Sequence, residues 1–372
     1  MKLKWCIHCV LPNSRPNLVL NEENICNACL NHLTKKKINW KSRYRELKKI
    51  LETARIKSGN FNYDCLIPVS GGKDSTWQVV KCLEFGLKPL TVTWKTPGRT
   101  NIGSENLSNL INLGVDHIDW KINPKTEAKF MLKTFKKAGS SAIPMHFSIF
   151  NIPLRIAVKF KIPCVIYGEN SAFEYGNKDS KDLVCELNNK WIKRYGVTQG
   201  TSVLEWSDRN LTKKELLSYS CPSDNEMKEA GVRAIFLGHY LEWDPTTTKN
   251  ISSKHGFKFL KKPKTGFYSY ADIDDNFISI HHWLKWYKFG FTRLFDNLSI
   301  EIRNKRLKRN DAIEIIKKNK NEPPNDDIKK FCKFVNISKK EFFRIAETHR
   351  NKKIWKKNSN NKWFIKNFLY DM

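Results

Sequence analysis

The chain has 372 residues, 40% of them hydrophobic and 12% aromatic, with a formal net charge of +30. This is enough apolar material for a folded protein of two or three domains, and a disordered chain is not expected. No apolar run approaches the ~20 residues that cross a bilayer, and the start "MKLKWCIHC" lacks the apolar stretch of a secretory signal, so the expected location is the cytoplasm with no transmembrane segment.

The charge invites a nucleic-acid reading, because basic surfaces concentrate near phosphates. Of the 67 basic residues, however, 52 are lysines, accompanied throughout by many Asn and Ile residues, which is a compositional bias spread over the whole surface. Residues 301–372 carry 21 Lys and Arg against 9 Asp and Glu, more basic than the average, and read first as a solvated lysine-rich helical face, with contact to an anionic substrate, RNA or a membrane as the alternatives. Nucleic acid is not the expected partner.

Residues 1–34 have few candidates for an apolar core but hold Cys6, Cys9, Cys26 and Cys29 in the pattern C-x2-C-x16-C-x2-C. That spacing is expected of a four-cysteine zinc site: each pair sits on a tight knuckle, and two knuckles complete a tetrahedron. Four thiolates close the coordination sphere, so the expected role is structural, the metal replacing a core that so short a segment cannot supply. Redox pairs or an iron site are the alternatives, with His8 and His32 as bystanders. Residues 35–58 follow as a linker helix, with Trp40, Tyr44, Leu47, Ile50 and Leu51 at helical spacing and Gly59 beyond its end.

From 59 to 240 the sequence alternates. The short apolar runs "CLIPV", "LTVTW", "VDHIDW", "PCVIYG" and "RAIFLG" are separated by helix-patterned stretches such as Asp74–Phe85, Gly103–Leu113 and Pro153–Phe160. This pattern predicts βα units around a parallel sheet, an α/β doubly wound domain. After Leu241 the pattern reads as loops and short elements, then as helices from "HHWLKWYKFG" onward, with a capping-box spacing at Ser338 and Glu341. The end, "KKNSNNKWFIKNFLYDM", has the composition of a disordered tail apart from aromatic residues that hint at docking.

The first βα junction carries the chemistry. Lys73 is followed by Asp74 and lacks the first glycine of a G-x-x-x-x-G-K-[ST] loop, so this is not a Walker A sequence. It is nevertheless a strand followed by Ser70, Gly71, Gly72, Lys73, Asp74 and Ser75 and then a helix. Two glycines let backbone approach an anion, first-turn amides point at it, and the two serine hydroxyls can donate. Asp74 would repel phosphate unless it caps the helix or holds Mg²⁺.

"SGGKDS" after a strand resembles the PP-loop of the ATP pyrophosphatases, which cleave ATP between the α- and β-phosphates. The resemblance implies an adenine-nucleotide α-hydrolase-like parallel sheet. "CIHCVLPNSRPNLVLNEENICNAC", "IPCVIYGEN" and "YSYADIDDNFISIHHWLKWYKFGFTRLFD" with "EIRNKRLKRNDAIEIIKK" resemble, over almost the full length, the N-acetyl sugar amidotransferases of lipopolysaccharide O-antigen and flagellin-glycan biosynthesis. In that family an acetamido group on a nucleotide-activated or nonulosonic sugar becomes an acetamidino group at the expense of ATP. Ammonia comes from separate glutaminase and cyclase-like subunits.

The resemblance thus implies a zinc-ribbon-like domain at 1–34, a linker helix at 35–58, a PP-loop domain at 59–240 and a substrate-binding, mainly helical region at 241–372. Ser70 to Ser75 would bind the ATP phosphates, with Lys73 and Asp74 catalytic, and Thr93 and Trp94 would lie near the adenine at a strand end. Gly168, Glu169 and Asn170 would contact ATP, Mg²⁺ or sugar, or equally serve as strand-end turn residues. His239, Trp243, Asp244, His281, His282, Lys288 and Arg293 would face the sugar or an anion, although adjacent residues such as His281 and His282 face different sides of a helix and are equally packed helix residues. Cys164 and Cys221 read as buried and not catalytic.

Two other readings compete. A 2-thiolation-type tRNA-modifying PP-loop enzyme also pairs zinc knuckles with this loop, but such enzymes typically carry catalytic cysteines where this sequence has "SSAIPMHFS", with Ala142 and Met145. A non-catalytic zinc-ribbon adaptor would not need the intact Ser-Gly-Gly-Lys-Asp-Ser set.

Overall fold

The computed structural model describes residues 3–59, 62–176, 186–319 and 321–370. Among them, strands β1 (Cys65–Pro68), β2 (Pro89–Trp94), β3 (Asp116–Trp120), β4 (Cys164–Tyr167) and β5 (Arg233–Phe236) form one parallel sheet in the order β3-β2-β1-β4-β5. All six residues of β2 are buried, as in a parallel sheet covered on both faces. The five runs picked out by alternation are the five strands, and the α/β class is as expected. Chain order reverses between β1 and β4, so the crevice beyond the C-terminal ends of these two strands is where an open sheet of this kind binds ligands.

One face of the sheet packs against helices α2 (Trp40–Ser58), α3 (Lys73–Glu84) and α4 (Asn101–Ile111), through Leu47, Leu51, Val79, Leu107 and Leu110. Asn39 caps α2, its side chain accepting from the Ser42 amide at 3.0 Å. The other face packs against α5 (Pro124–Ala138) and α6 (Ile143–Phe160), then against the helices Phe277–Phe289, Asn325–Val335 and Lys339–Thr348. Helix α5 carries its own punctuation: Asn123 caps it, Pro124 occupies the first turn, and left-handed Gly139 ends it. Helix α6 begins at Ile143, well before the expected Pro153. That proline removes a helical N–H but is buried with Ile152, Leu154 and Ala157, and burial outweighs the local penalty.

The stretch read as loops after Leu241 contains a helix, Pro245–Lys254. Its Thr-rich sequence has low helical propensity, but Asp244 caps it and it lies against α3. The tail is folded over its described residues. It forms a hairpin of β6 (Trp355–Lys357) and β7 (Trp363–Ile365), and Trp355, Ile365, Phe368 and Leu369 share a core with Trp5, Val10 and Leu11 of the cysteine segment. The aromatic residues that hinted at docking therefore dock on the other end of the chain. Helix α1 (Asn27–Lys35) ties that segment to the sheet: Lys35 donates to Glu174 at 3.1 Å and to the Trp243 carbonyl at 2.7 Å, both buried. No described helix is long and apolar enough to cross a membrane.

Candidate active site

The loop after β1 is shaped by its own residues. Gly71 has φ +83° and lies so close to α4 that a Cβ would meet the Leu107 amide at 2.7 Å and the Gly103 carbonyl at 2.9 Å, so only glycine fits. Ser75 Oγ donates to the Gly72 carbonyl at 2.9 Å, Thr76 Oγ1 donates to the same carbonyl at 3.1 Å, and Ser70 Oγ accepts from the Gly72 amide at 3.3 Å. Thr93 Oγ1, at the end of β2, donates to the Val69 carbonyl at 2.6 Å, fixing the strand end below the loop. Lys73, 5% exposed, pairs with the Asp74 carboxylate and lies 5.4 Å from the Trp243 ring centroid. The other Asp74 oxygen accepts from Trp243 Nε1 at 2.9 Å and from Thr248 Oγ1 at 3.2 Å.

This loop forms one wall of a cavity of about 470 Å³ at the sheet's switch point. Trp94 and Glu169 line the same side, and Trp94 Nε1 donates to Glu127 at 2.8 Å. Burial, then the nearby Asp74 charge, push the Glu169 carboxyl up to about 7.

The facing wall comes from the C-terminal region and the cysteine segment. Arg293 donates to Asp272 at 3.1 Å, and His282 lies 3.4 Å from the same oxygen. Arg15, from between the two cysteine pairs, reaches in to donate to Asp296 at 2.8 Å, and Lys285 contacts that carboxylate at 3.3 Å. Burial acts to raise both carboxyls, but neighbouring cations outweigh it and hold them well below the usual range: Arg293 first for Asp272, Arg15 and Lys285 for Asp296. The wall is latched over the sheet through the loop 271–276. The Asn276 amide donates to the Gly98 carbonyl at 2.7 Å, Thr100 Oγ1 donates to the Ile273 carbonyl at 2.6 Å, and Asp274 is hydrogen-bonded to Ser70.

Of the residues singled out in the sequence, Ser70, Gly72, Lys73, Asp74, Ser75, Thr93, Trp94, Glu169, Trp243, His281, His282 and Arg293 meet around this one cavity. The others stand outside its lining. Gly168 accepts from the Gly238 amide at 3.0 Å, and the Asn170 carbonyl starts helix α7 (Ser171–Tyr175). The His239 carbonyl accepts from Arg43 at 2.7 Å, Asp244 caps its helix and pairs with Arg306 at 2.8 Å, and Lys288 donates to the Ala138 carbonyl at 2.7 Å. Cys164 is buried and Cys221 half-buried, and neither lines the cavity. Sequence reasoning missed Arg15, His146, Asp272, Asp274, Lys285 and Asp296. The acidic string "ADIDD" and Lys285, one turn beyond His281, were available signals.

The four cysteines come together as the spacing predicts. Their Sγ atoms lie within 4.8 Å of one another, with Cys6 to Cys29 at 3.9 Å and Cys9 to Cys26 at 3.7 Å, all buried. A tetrahedron with zinc–sulfur bonds of about 2.3 Å has edges of about 3.8 Å, so the cluster fits that ion. The amides of Cys9 and Cys26 point at Cys6 Sγ at 3.5 and 3.3 Å, a donor arrangement suited to thiolate.

A comparison with curated proteins finds no match. Among solved structures, the NMN synthetase from Francisella tularensis is similar at 14% identity, over 61% of this chain and 99% of that one, with a TM-score of 0.26, too low to bear on the argument. Residues 257–369, which supply most of the wall facing the loop, match the family model of the WbpG-like lipopolysaccharide biosynthesis protein C-terminal domain. This agrees with the resemblance noted in the sequence, and the match covers about the last third of the chain.

Proposed function

We propose that the protein is an ATP-dependent N-acetyl sugar amidotransferase of lipopolysaccharide O-antigen or flagellin-glycan biosynthesis, acting in the cytoplasm. The observation that carries this reading is the pairing of walls: a glycine-rich, lysine-bearing loop at a helix N-terminus faces residues of a lipopolysaccharide-biosynthesis domain across one cavity. In this reading the amides of the Ser70–Ser75 loop hold the β- and γ-phosphates, and Lys73 meets the charge that develops as pyrophosphate leaves. Trp94 and Thr93 border the adenine end. Trp243, His281, His282 and Arg293 orient the acetamido sugar so that its amide oxygen reaches the α-phosphorus, giving an O-adenylyl imidate. Ammonia from separate glutaminase and cyclase-like subunits then displaces AMP to leave the acetamidino group.

Mg²⁺ would supply charge neutralisation to the phosphates. Glu169, Asp274 and Asp275, which line the cavity, would hold it, and Asp275 Oδ2 is buried without a hydrogen-bond partner. Zn²⁺ on the four cysteines would be structural. Against a sulfur-transfer reading, no cysteine is among the described residues lining the cavity.

The test is to incubate the protein with ATP, Mg²⁺, ammonium and a panel of acetamido sugar nucleotides and to identify products by mass. Replacement of one amide oxygen by NH, with AMP and pyrophosphate formed, is the expected result. AMP formation that requires tRNA and ignores every sugar would overturn it.

A further inference from the structure

Three imidazoles stand in file along the cavity wall. His146 on α6 and His281 on the helix Phe277–Phe289 have ring centroids 5.8 Å apart, and those of His281 and His282 are 5.3 Å apart. All three line the cavity that holds Lys73 and Asp74. Nδ1 of His146 contacts the Ala142 carbonyl at 2.6 Å. A carbonyl only accepts, so the ring proton sits on Nδ1 and Nε2 keeps its lone pair. Nδ1 of His281 is 3.3 Å from Ser140 Oγ.

His282 is 7% exposed; its Nε2 lies 3.4 Å from an Asp272 oxygen, and its Nδ1 has no hydrogen-bond partner. An unsatisfied buried imidazole is costly, and it fits a site that a ligand completes. Burial keeps all three rings uncharged at neutral pH, pushing His146 and His282 down to about 4 and His281 well below its usual range. Beside His146 the cavity is bordered by Met145, Ile149 and Val197, the last two 36% and 44% exposed. An apolar border suits a small neutral molecule better than a phosphate.

Resting on the amidotransferase reading, we propose that His146 and His281, with His282 behind them, accept the proton that incoming ammonia must lose, the ammonia entering at the border of Met145, Ile149 and Val197. The ammonia lone pair forms the bond to the imidate carbon and leaves an acidic –NH₃⁺ group on the adduct. One proton passes from that group to a ring nitrogen, and the carbon–oxygen bond then breaks with its electron pair going to AMP, leaving the NH₂ of the amidinium. His146 Nε2 is the acceptor whose lone pair is already free, and the file of rings offers a path back to solvent.

The experiment uses the whole protein with its substrates and reads two products in one tube, pyrophosphate and amidine, for wild type, His146→Gln and His281→Gln. Without a proton acceptor the adduct reverts, and water consumes the activated imidate to regenerate the amide and AMP. Amidine formed per pyrophosphate should fall on the order of 10- to 100-fold in the variants, within the usual worth of general-base catalysis. Partial unfolding lowers both products together and leaves the ratio unchanged. Two variants that retain the wild-type ratio would overturn the histidine proposal while leaving the amidotransferase reading intact. A wild-type protein that releases pyrophosphate but makes no amidine from any acetamido sugar would overturn both.

Discussion

Six consecutive residues, Ser70 to Ser75, make the centre of the sheet-side wall, and that wall is held by hydroxyl-to-backbone bonds within the loop and by a glycine that nothing else can replace. The facing wall is assembled from Asp272, Lys285, Arg293 and Asp296 with Arg15 from far away in the chain, as a buried network of ion pairs against which the uncharged His282 packs. The first is a shape made by backbone. The second is a balance of charges in which each member is tolerable only while its neighbours are present. Damage to the first should therefore appear mainly in chemistry, and damage to the second mainly in stability.

The largest effect should come from the support behind the facing wall. With zinc on the four cysteines as proposed, Cys26→Ser is expected to lose the ion and at least about 5 kcal/mol of stability, since structural zinc in zinc-finger peptides has apparent binding free energies of about 10–16 kcal/mol. It should also weaken the hold on Arg15, which lies between the cysteine pairs. Elemental analysis and thermal melts check this, and an unchanged melt in metal-free protein would count against a structural zinc.

Arg293→Ala should cost about 3–5 kcal/mol, because it leaves Asp272 buried without its principal cation. Denaturant unfolding measures it, and a cost below 1 kcal/mol would show the wall to be less interdependent than drawn. Asp74→Asn on the other wall should instead lower sugar-dependent pyrophosphate release about 100-fold with little change in melting temperature. A parallel loss of stability would erase the contrast between the walls.

Acid should separate the walls as well. The unfolded chain protonates its histidines near pH 6.5, whereas folded His146 and His282 resist until about 4. Stability should therefore fall as pH drops through that window, by up to about 1.4 kcal/mol per pH unit for each imidazole. Asp272 and Asp296, held low, contribute stability above the ordinary carboxylate range and lose it only at still lower pH. His282→Gln should flatten the slope between pH 6.5 and 4, and an unchanged slope would remove that residue from the account. The smallest change is Ser338→Ala, which removes the cap that accepts from the Glu341 amide at 3.0 Å. It should cost about 1 kcal/mol with no effect on turnover.

The same contrast explains what could be read in advance. The five strands, the loop and the cysteine cluster are each written in contiguous residues, because strand burial, glycine torsion and knuckle geometry are short-range requirements. Arg15 gave no such signal: its role arises only when a carboxylate from far along the chain, Asp296, is buried against it. Asp244, His239 and Lys288 carried the right chemistry in the right region, yet a helix cap, a backbone carbonyl contact and a distant acceptor occupy them outside the cavity lining. The Pro245–Lys254 helix was hidden by its threonines, and its Thr248 is one of the groups that positions Asp74.

The shared core of Trp5, Val10 and Leu11 with Trp355, Phe368 and Leu369 sets a schedule for biosynthesis. Trp5, Val10 and Leu11 cannot bury their side chains in this core until the roughly 340 residues that separate them from Trp355 have been made, which at about 5–20 residues per second is on the order of tens of seconds. During that interval the two cysteine knuckles, even with zinc bound as proposed, have no finished core to hold them. Supply of zinc during synthesis, and not only afterwards, should then set how much of the chain reaches its folded state.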